Sequence, residues 1–374
     1  MHLGRQPLGP ILGGWLLTRY WWGWVFLMNV PVALLGLVAV AVLVPESRAA
    51  RRPGLDPVGT AASAAGLVAI VYGLIKAGQD GWGDPSALLL MLGGVLLLAG
   101  FYRWERRLSR RPDGQPLVDL TLFRSASFSW GVILAAVAVL SMIGVLFTMP
   151  QYFQGVRGVD AMGSGLRLLP LIGGLVLGAV PADRLVARFG AKLVAAAGFV
   201  LLAAGLFLGA ATSVYSTTAF IALWMAIVGL GMGMALATAS SAALAEVSQE
   251  RSGIASAVLQ AVNKVGGPFG TAILGSVLSA GYLAHLDLSS LPSSAAGAVR
   301  QSVFGGVAVA ERTGSATLLA AVRTAFTHGM DQALVVSAGI ALAGAALTLA
   351  FLPRTSTQAP APDGIKASDV VETR

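Results

Sequence analysis

The sequence predicts an all-α polytopic membrane protein, and three observations carry that prediction. Of its 374 residues, 56% are hydrophobic and only 11% charged, whereas a soluble surface needs about a quarter of the residues charged to stay solvated. The apolar residues come in runs close to the roughly 20 residues that a helix needs to cross a bilayer at 1.5 Å per residue. The basic residues then fall in alternate loops, as helices threading back and forth through a membrane require. The mean hydropathy of +0.78 agrees with this. The 47 glycines suit helices that must approach closely in lipid without a hydrophobic drive. A formal charge of +8 would suggest nucleic acid in a soluble chain, but here it reads as basic loops beside a membrane, with no nucleic-acid partner. The chain has no cysteine, which excludes disulfides and thiolate metal sites.

About ten segments follow in order, near 7–17, 25–44, 58–75, 87–101, 128–152, 162–180, 193–211, 217–244, 254–283 and 333–352. The first is too short to span and reads as the second half of a helix. A signal peptide is the rival, but Pro10, Gly13 and Gly14 interrupt what should be a smooth apolar core. Trp21, Trp22 and Trp24 belong at an interface, where amphipathic rings settle. Between the fourth and fifth runs, Pro112, Gly114, Pro116 and Asp119 mark a loop. It ends in an amphipathic stretch at 117–123 that should lie on the membrane. The stretch 287–330 is the longest loop opposite and is rich in Ala, Ser and Gly, with room for short amphipathic helices. Residues 354–374 should form a disordered cytoplasmic tail.

Lys and Arg set the orientation. One side holds Arg48, Arg51 and Arg52, then six arginines from Arg103 to Arg124, then Arg184, Arg188, Lys192 and Arg251, and finally the basic residues of the tail. That is 16 of 25, and the richer side should be cytoplasmic, with the C-terminus there. The expected location is the cell inner (plasma) membrane, with the lipid bilayer as the first partner.

Three stretches carry mechanism. Gly9, Pro10, Gly13 and Gly14 would bend a helix and strip its bulk, letting a neighbour rock against it. The plainer alternative is a packing seam. With the following Trp-Gly-Trp-Val-Phe-Leu-Met-Asn-Val-Pro run, including Asn29 and Pro31, this stretch resembles the antiporter motif of the major facilitator superfamily and the next helix of its fourteen-helix drug/proton antiporters, the EmrB/QacA type. Arg5 departs from that pattern, which usually has a small residue there. The second stretch, Gly178 to Lys192, joins two apolar runs and holds Asp183 beside Arg184 and Arg188, then Gly190 and Lys192. A breakable charge latch between bundles is one reading; a basic turn serving topology is the other. It resembles the superfamily's cytoplasmic gating motif in its second copy. The third stretch, 251–270, places Gln260, Asn263 and Lys264 within an apolar span. Such groups face a bundle interior or a water-filled cavity, or they hydrogen-bond a neighbouring helix. Gln151 and Gln154, after Pro150, join them as substrate-cavity candidates.

The resemblance implies a helical bundle containing the fifth to the fourteenth helix of that family, N-terminally truncated. Residues 1–44 would be the end of an N-terminal bundle, 45–125 two extra linker helices with a basic loop, and 126–353 a C-terminal six-helix bundle. It further implies secondary export of amphipathic small molecules, by proton antiport when complete. Every acidic residue falls at a segment end, in a loop or in the tail, and His2, His285 and His328 fall outside the runs. Proton relays need an ionisable group inside the membrane, so the chain alone should not couple export to protons. In the family, that acid belongs to the first four helices. A transport-inactive fragment is therefore one alternative. A polytopic membrane enzyme is a weaker one, because the spans offer no catalytic residue, no metal ligand set and no cofactor motif. No Gly-x-x-x-x-Gly-Lys loop is present for an ATP-driven pump.

Overall fold

The computed structural model describes residues 19, 21, 23–43, 56–111, 120–248, 251–289 and 291–353. The described residues are helical and connecting segments throughout. Among the described residues, seven stretches are long and apolar enough to cross a membrane: Pro57–Gly78, Pro85–Leu108, Ala126–Val156, Ala161–Ala179, Ala191–Gly209, Thr218–Leu244 and Ala316–Phe351.

The chain enters through α1 (Trp24–Leu27) and α2 (Asn29–Leu43), so the apolar run 25–44 is broken at Met28 rather than continuous. α2 buries none of its side chains. α3 (Pro57–Asp80) and α4 (Pro85–Leu108) then form a hairpin. Each starts with proline in its first turn, where the missing N–H costs nothing. Each is capped by aspartate: Asp56 accepts from the Gly59 N–H at 2.9 Å, and Asp84 from the Ala87 N–H at 2.8 Å. Trp104 Nε1 donates to Asp56 at 2.9 Å and ties the basic end of α4 to the start of α3.

The remaining long helices build one bundle: α5 (Ala126–Gln151), the broken pair α6 (Ala161–Arg167) and α7 (Leu169–Ala179), α9 (Ala191–Gly209), α10 (Thr218–Leu244), α11 (Ser252–Ala284) and α14 (Ala316–Phe351). The short α8 (Ala182–Phe189) links α7 to α9. Its core is apolar, centred on Phe128, Tyr152, Phe199, Trp224 and Met330. Without a hydrophobic drive in lipid, backbone proximity holds such helices together. At the α7–α10 seam, Gly174 and Gly178 lie against Ala226 and Leu230, while Gly229 and Gly233 lie against Leu171 and Leu175. A Cβ at any of these glycines would sit 2.0–2.1 Å from a carbonyl oxygen of the facing helix. The two backbones are in contact, and no other residue fits.

At the end of the bundle that carries Arg184 and Arg251, called the basic end, Glu246 is held by Ser125 Oγ and Ser127 Oγ, both at 2.7 Å. These two serines hold its carboxyl below the usual glutamate range. At the far end, α5 passes through Pro150 into a π-helical turn, Tyr152–Val156, where the Tyr152 hydroxyl donates to the Ser213 carbonyl at 2.8 Å. There α12 (Ser293–Gln301) and α13 (Val303–Thr313) cap the ends of α11 and α14. The Tyr282 hydroxyl donates to the Val299 carbonyl at 2.9 Å, and Val303 packs on Gly155.

The last helix corrects the sequence prediction. The run near 333–352 is only the second half of the 36-residue α14, which starts at Ala316. Thr327, His328, Asp331 and Gln332 interrupt the hydropathy without interrupting the helix. Thr327 is buried and donates to its own helix at the Thr324 carbonyl, 2.7 Å away, Asp331 is half-buried, and His328 and Gln332 are exposed.

Candidate functional site

On α11, residues 260, 264, 267, 271 and 275 recur at three- and four-residue intervals and therefore share one face. Its half toward the basic end is polar: Gln260 and Lys264 are exposed, and Asn263 flanks them half-buried. Asn263 Oδ1 is buried without a hydrogen-bond partner among the described residues. Just beyond, Pro268 sits inside the helix. It has no N–H to give the carbonyl four residues back, so the Lys264 carbonyl is released from the helical ladder. The half toward the far end is built from small residues and opens into a cavity of about 1000 Å³ between α3, α5 and α11, roofed by the end of α12. Gly267, Thr271, Gly275 and Ser279 form its α11 wall, and Ile143 and Phe147 of α5 face them. A Cβ at Gly275 would meet the Phe147 ring at 3.5 Å, and one at Gly267 would meet nothing within 4 Å. The arrangement can hold an apolar molecule along α11 while offering it polar groups at mid-helix.

The structure divides the five cavity candidates into two groups. Gln260, Asn263 and Lys264 lie together. Gln151 and Gln154 lie at the far end of α5, where Gln151 Nε2 donates to its own helix at the Phe147 carbonyl, 2.9 Å away. Gly266 faces Ala136 and Gly275 faces Phe147, so the two groups are separated by about 20 Å along the helices. One site cannot use all five.

Gly178 belongs to the α7–α10 seam. Asp183, Arg184 and Arg188 are exposed on α8, and Asp183 has no hydrogen-bond or ion-pair partner among the described residues. Gly190 has φ +82°, a conformation that favours glycine, and Lys192 starts α9. The positive φ makes a sharp corner between α8 and α9. Asn29 and Pro31 open α2, both exposed. Gly9, Pro10, Gly13 and Gly14 lie outside the described residues, as do the tail and residues 117–119 of the stretch expected to lie on the membrane, whose remainder leads into a short 3-10 helix, Leu122–Arg124.

The expectation that no acid or histidine sits within a long helix is overturned at α14. Asp331 and His328 are internal to it. Asp331 lies close to Tyr152, and its Oδ1 is buried with no hydrogen-bond partner among the described residues. His328 stacks on His285 of α11, with ring centroids 4.5 Å apart and planes 17° from parallel, joining the two helices at the far end. Hydropathy could not find these residues, because it marks polar groups as loop. The small-residue wall did carry a signal, in the four-residue spacing of Gly267, Thr271, Gly275 and Ser279.

Residues 1–271 match the family model described as Major Facilitator Superfamily. The chain is similar to the tetracenomycin C resistance and export protein of Streptomyces glaucescens, at 32% identity over 353 residues, covering 91% of this chain and 65% of that protein. It is similar to the multidrug efflux pump LfrA of Mycolicibacterium smegmatis at 31% identity, covering 91% and 68%. To the puromycin resistance protein pur8 of Streptomyces alboniger the identity is 34%, covering 76% and 56%. The chain spans about half to two thirds of the length of these curated relatives.

Proposed function

The chain belongs to the major facilitator superfamily, and from that membership we propose that it exports amphipathic small molecules by alternating access, in exchange for protons. The observation that carries the proposal is the α11 face, where Gln260, Asn263 and Lys264 stand in a 33-residue helix of the bundle and their face continues into an apolar cavity. Intramembrane polar groups of this kind line substrate pathways, and secondary transporters bind near the midplane on broken or interrupted helices. Pro268 supplies such an interruption. The relatives named for resistance and export of antibiotics support the substrate class. For the exchanged proton, Asp331 on α14 is a carboxyl within a membrane-length helix, near Tyr152, whose buried Oδ1 lacks a hydrogen-bond partner among the described residues. The basic end is taken as cytoplasmic by the excess of Lys and Arg there, in a plasma membrane. An impermeant thiol reagent should then label a Ser289→Cys variant in intact cells.

The test uses the intact gene product in a pump-deficient bacterial host. The wild type should lower the accumulation of an amphipathic dye, and its inverted vesicles should release protons when drug is added. Asn263→Leu and Lys264→Met should lose most of the export while reaching the membrane in normal amount. Asp331→Asn should bind drug but release no protons. Full export by both α11 variants would remove that face from the pathway, and proton release by Asp331→Asn would remove Asp331 from coupling.

A further inference from the structure

The cavity beside α11 has a charge pattern that selects among amphipathic ligands. Its body is apolar, closed by Ile75 from α3, by Ile143 and Phe147 from α5, and by Leu283 near the end of α11. At about 1000 Å³ it lies at the upper end of the range of drug-sized sites. It reaches from Gly267, near the middle of α11, to the far-end rim, where the last residues of α12, Arg300 and Gln301, overhang it. Among the described residues that line it, Arg300 is the charged one and none is acidic. The Arg300 side chain is exposed and makes no hydrogen bond or ion pair within the described residues, so nothing in the wall neutralises it. The wall hydroxyls are largely committed: Thr271 Oγ1 donates to the Gly267 carbonyl at 3.1 Å, and Ser276 Oγ to the Ile273 carbonyl at 2.8 Å. Gln301, beside Arg300, adds amide donors at the same rim. An apolar slot with cationic and amide donors at one end complements a molecule with a flat apolar body and an acid group at its edge. A cationic amphipath would place its charge against Arg300, with no carboxylate among the described lining residues to receive it.

We propose that this cavity is a binding site for acidic amphipathic small molecules, the apolar body lying between Phe147 and the glycine face of α11 and the acid group under Arg300. The proposal rests on the reading of the α11 face as the export pathway and narrows its substrate class. It concerns a site between the linker helix α3 and the bundle, distinct from the polar stretch at Gln260–Lys264. The roof has a second consequence. Because α12 belongs to the far-end cap, the acid group would bridge the cap to the bundle, and occupancy would hold the cap down.

The experiment is equilibrium binding to the purified full chain in nanodiscs of zwitterionic lipid, so that no turnover is required. The probes are 1-anilinonaphthalene-8-sulfonate and N-phenyl-1-naphthylamine, which share a ring system and differ by the sulfonate. The sulfonate probe should bind more tightly. Arg300→Gln should weaken it about threefold to fivefold, as expected for an exposed ionic contact, and leave the neutral probe unchanged. Gly267→Leu, which projects into open space and not into a neighbouring helix, should abolish saturable binding of both. Equal affinity of the two probes, with no effect of Arg300→Gln, would overturn the acidic class. Unchanged binding in Gly267→Leu would overturn the location. Displacement of the sulfonate probe by phosphatidylglycerol at equimolar amounts would make the occupant a membrane lipid and likewise overturn the proposal. A chain that passes these tests yet fails to export in cells would refute the transport reading while leaving the site standing.

Discussion

Two seams of this bundle are written with the same glycine spacing and do opposite things. On α7 and α10 the pairs Gly174/Gly178 and Gly229/Gly233 face each other, and each lets the opposing backbone touch. On α11, Gly267, Thr271, Gly275 and Ser279 keep the four-residue spacing, yet what faces them is Phe147, Ile143 and empty volume. The difference lies in reciprocity. Small residues on both helices let the axes close until carbonyls meet small-residue backbones. Small residues on one helix, opposite large side chains on the other, leave a gap that the membrane interior has no water to fill. Pro268 adds to the gap by bending α11 and freeing a carbonyl.

The sharpest way to break this comparison is to add side chains to both seams. Gly233→Leu should be the most damaging change, because its first added carbon already lies 2.1 Å from the Leu175 carbonyl. Separating the helices should cost about 3 kcal/mol or more, seen as loss of monodisperse protein in detergent. Gly267→Ala should do the reverse. With nothing within 4 Å of the new Cβ, the better helix former should raise stability by about 0.5–1 kcal/mol, measured as a higher melting temperature. Similar losses in both variants would mean that α11 is packed as tightly as α7.

How far this was legible from the sequence differs between the two seams. The existence of α5, α9 and α10 followed from uninterrupted apolar runs, and their place in a bundle was an expectation from the family resemblance. That Gly178 serves a backbone contact was not legible, because its partner Leu230 carries no small-residue mark of its own; reciprocity appears only in three dimensions. The polar face Gln260–Lys264 was visible because polar groups in an apolar run are rare. The cavity beside it was not, because Arg300 and Ile75 come from segments remote in sequence. The first half of α14 was hidden for a physical reason. Hydropathy assumes lipid around a helix, whereas Asp331 is half-buried near Tyr152 and His328 stacks on His285.

A smaller effect separates the basic end from both seams. Ser125 and Ser127 hold the Glu246 carboxyl below its usual value of 4.5, so their contribution is present above that value and fades as pH falls through the lowered folded value. Replacing both serines with alanine should lower the melting temperature slightly at pH 7, and the difference from wild type should shrink in more acid solution to what the lost Ser125 cap on the Phe128 N–H leaves. A difference that persists unchanged into acid would show that the serines act by packing and not through the carboxylate.

The account stands or falls on whether the α11 wall faces a cavity that ligands enter while the backbone-to-backbone seams of α10, where Ala235 meets Gly198 of α9, stay closed. With no native cysteine in the chain, single cysteines at Thr271 and Ser279 can be compared with one at Ala235, which is fully buried on α10. Labelling by a small methanethiosulfonate reagent in intact cells should be rapid at the first two, slowed severalfold by saturating amphipathic substrate, and undetectable at Ala235. Equal labelling at all three positions, or labelling at Thr271 and Ser279 that substrate does not slow, would contradict it.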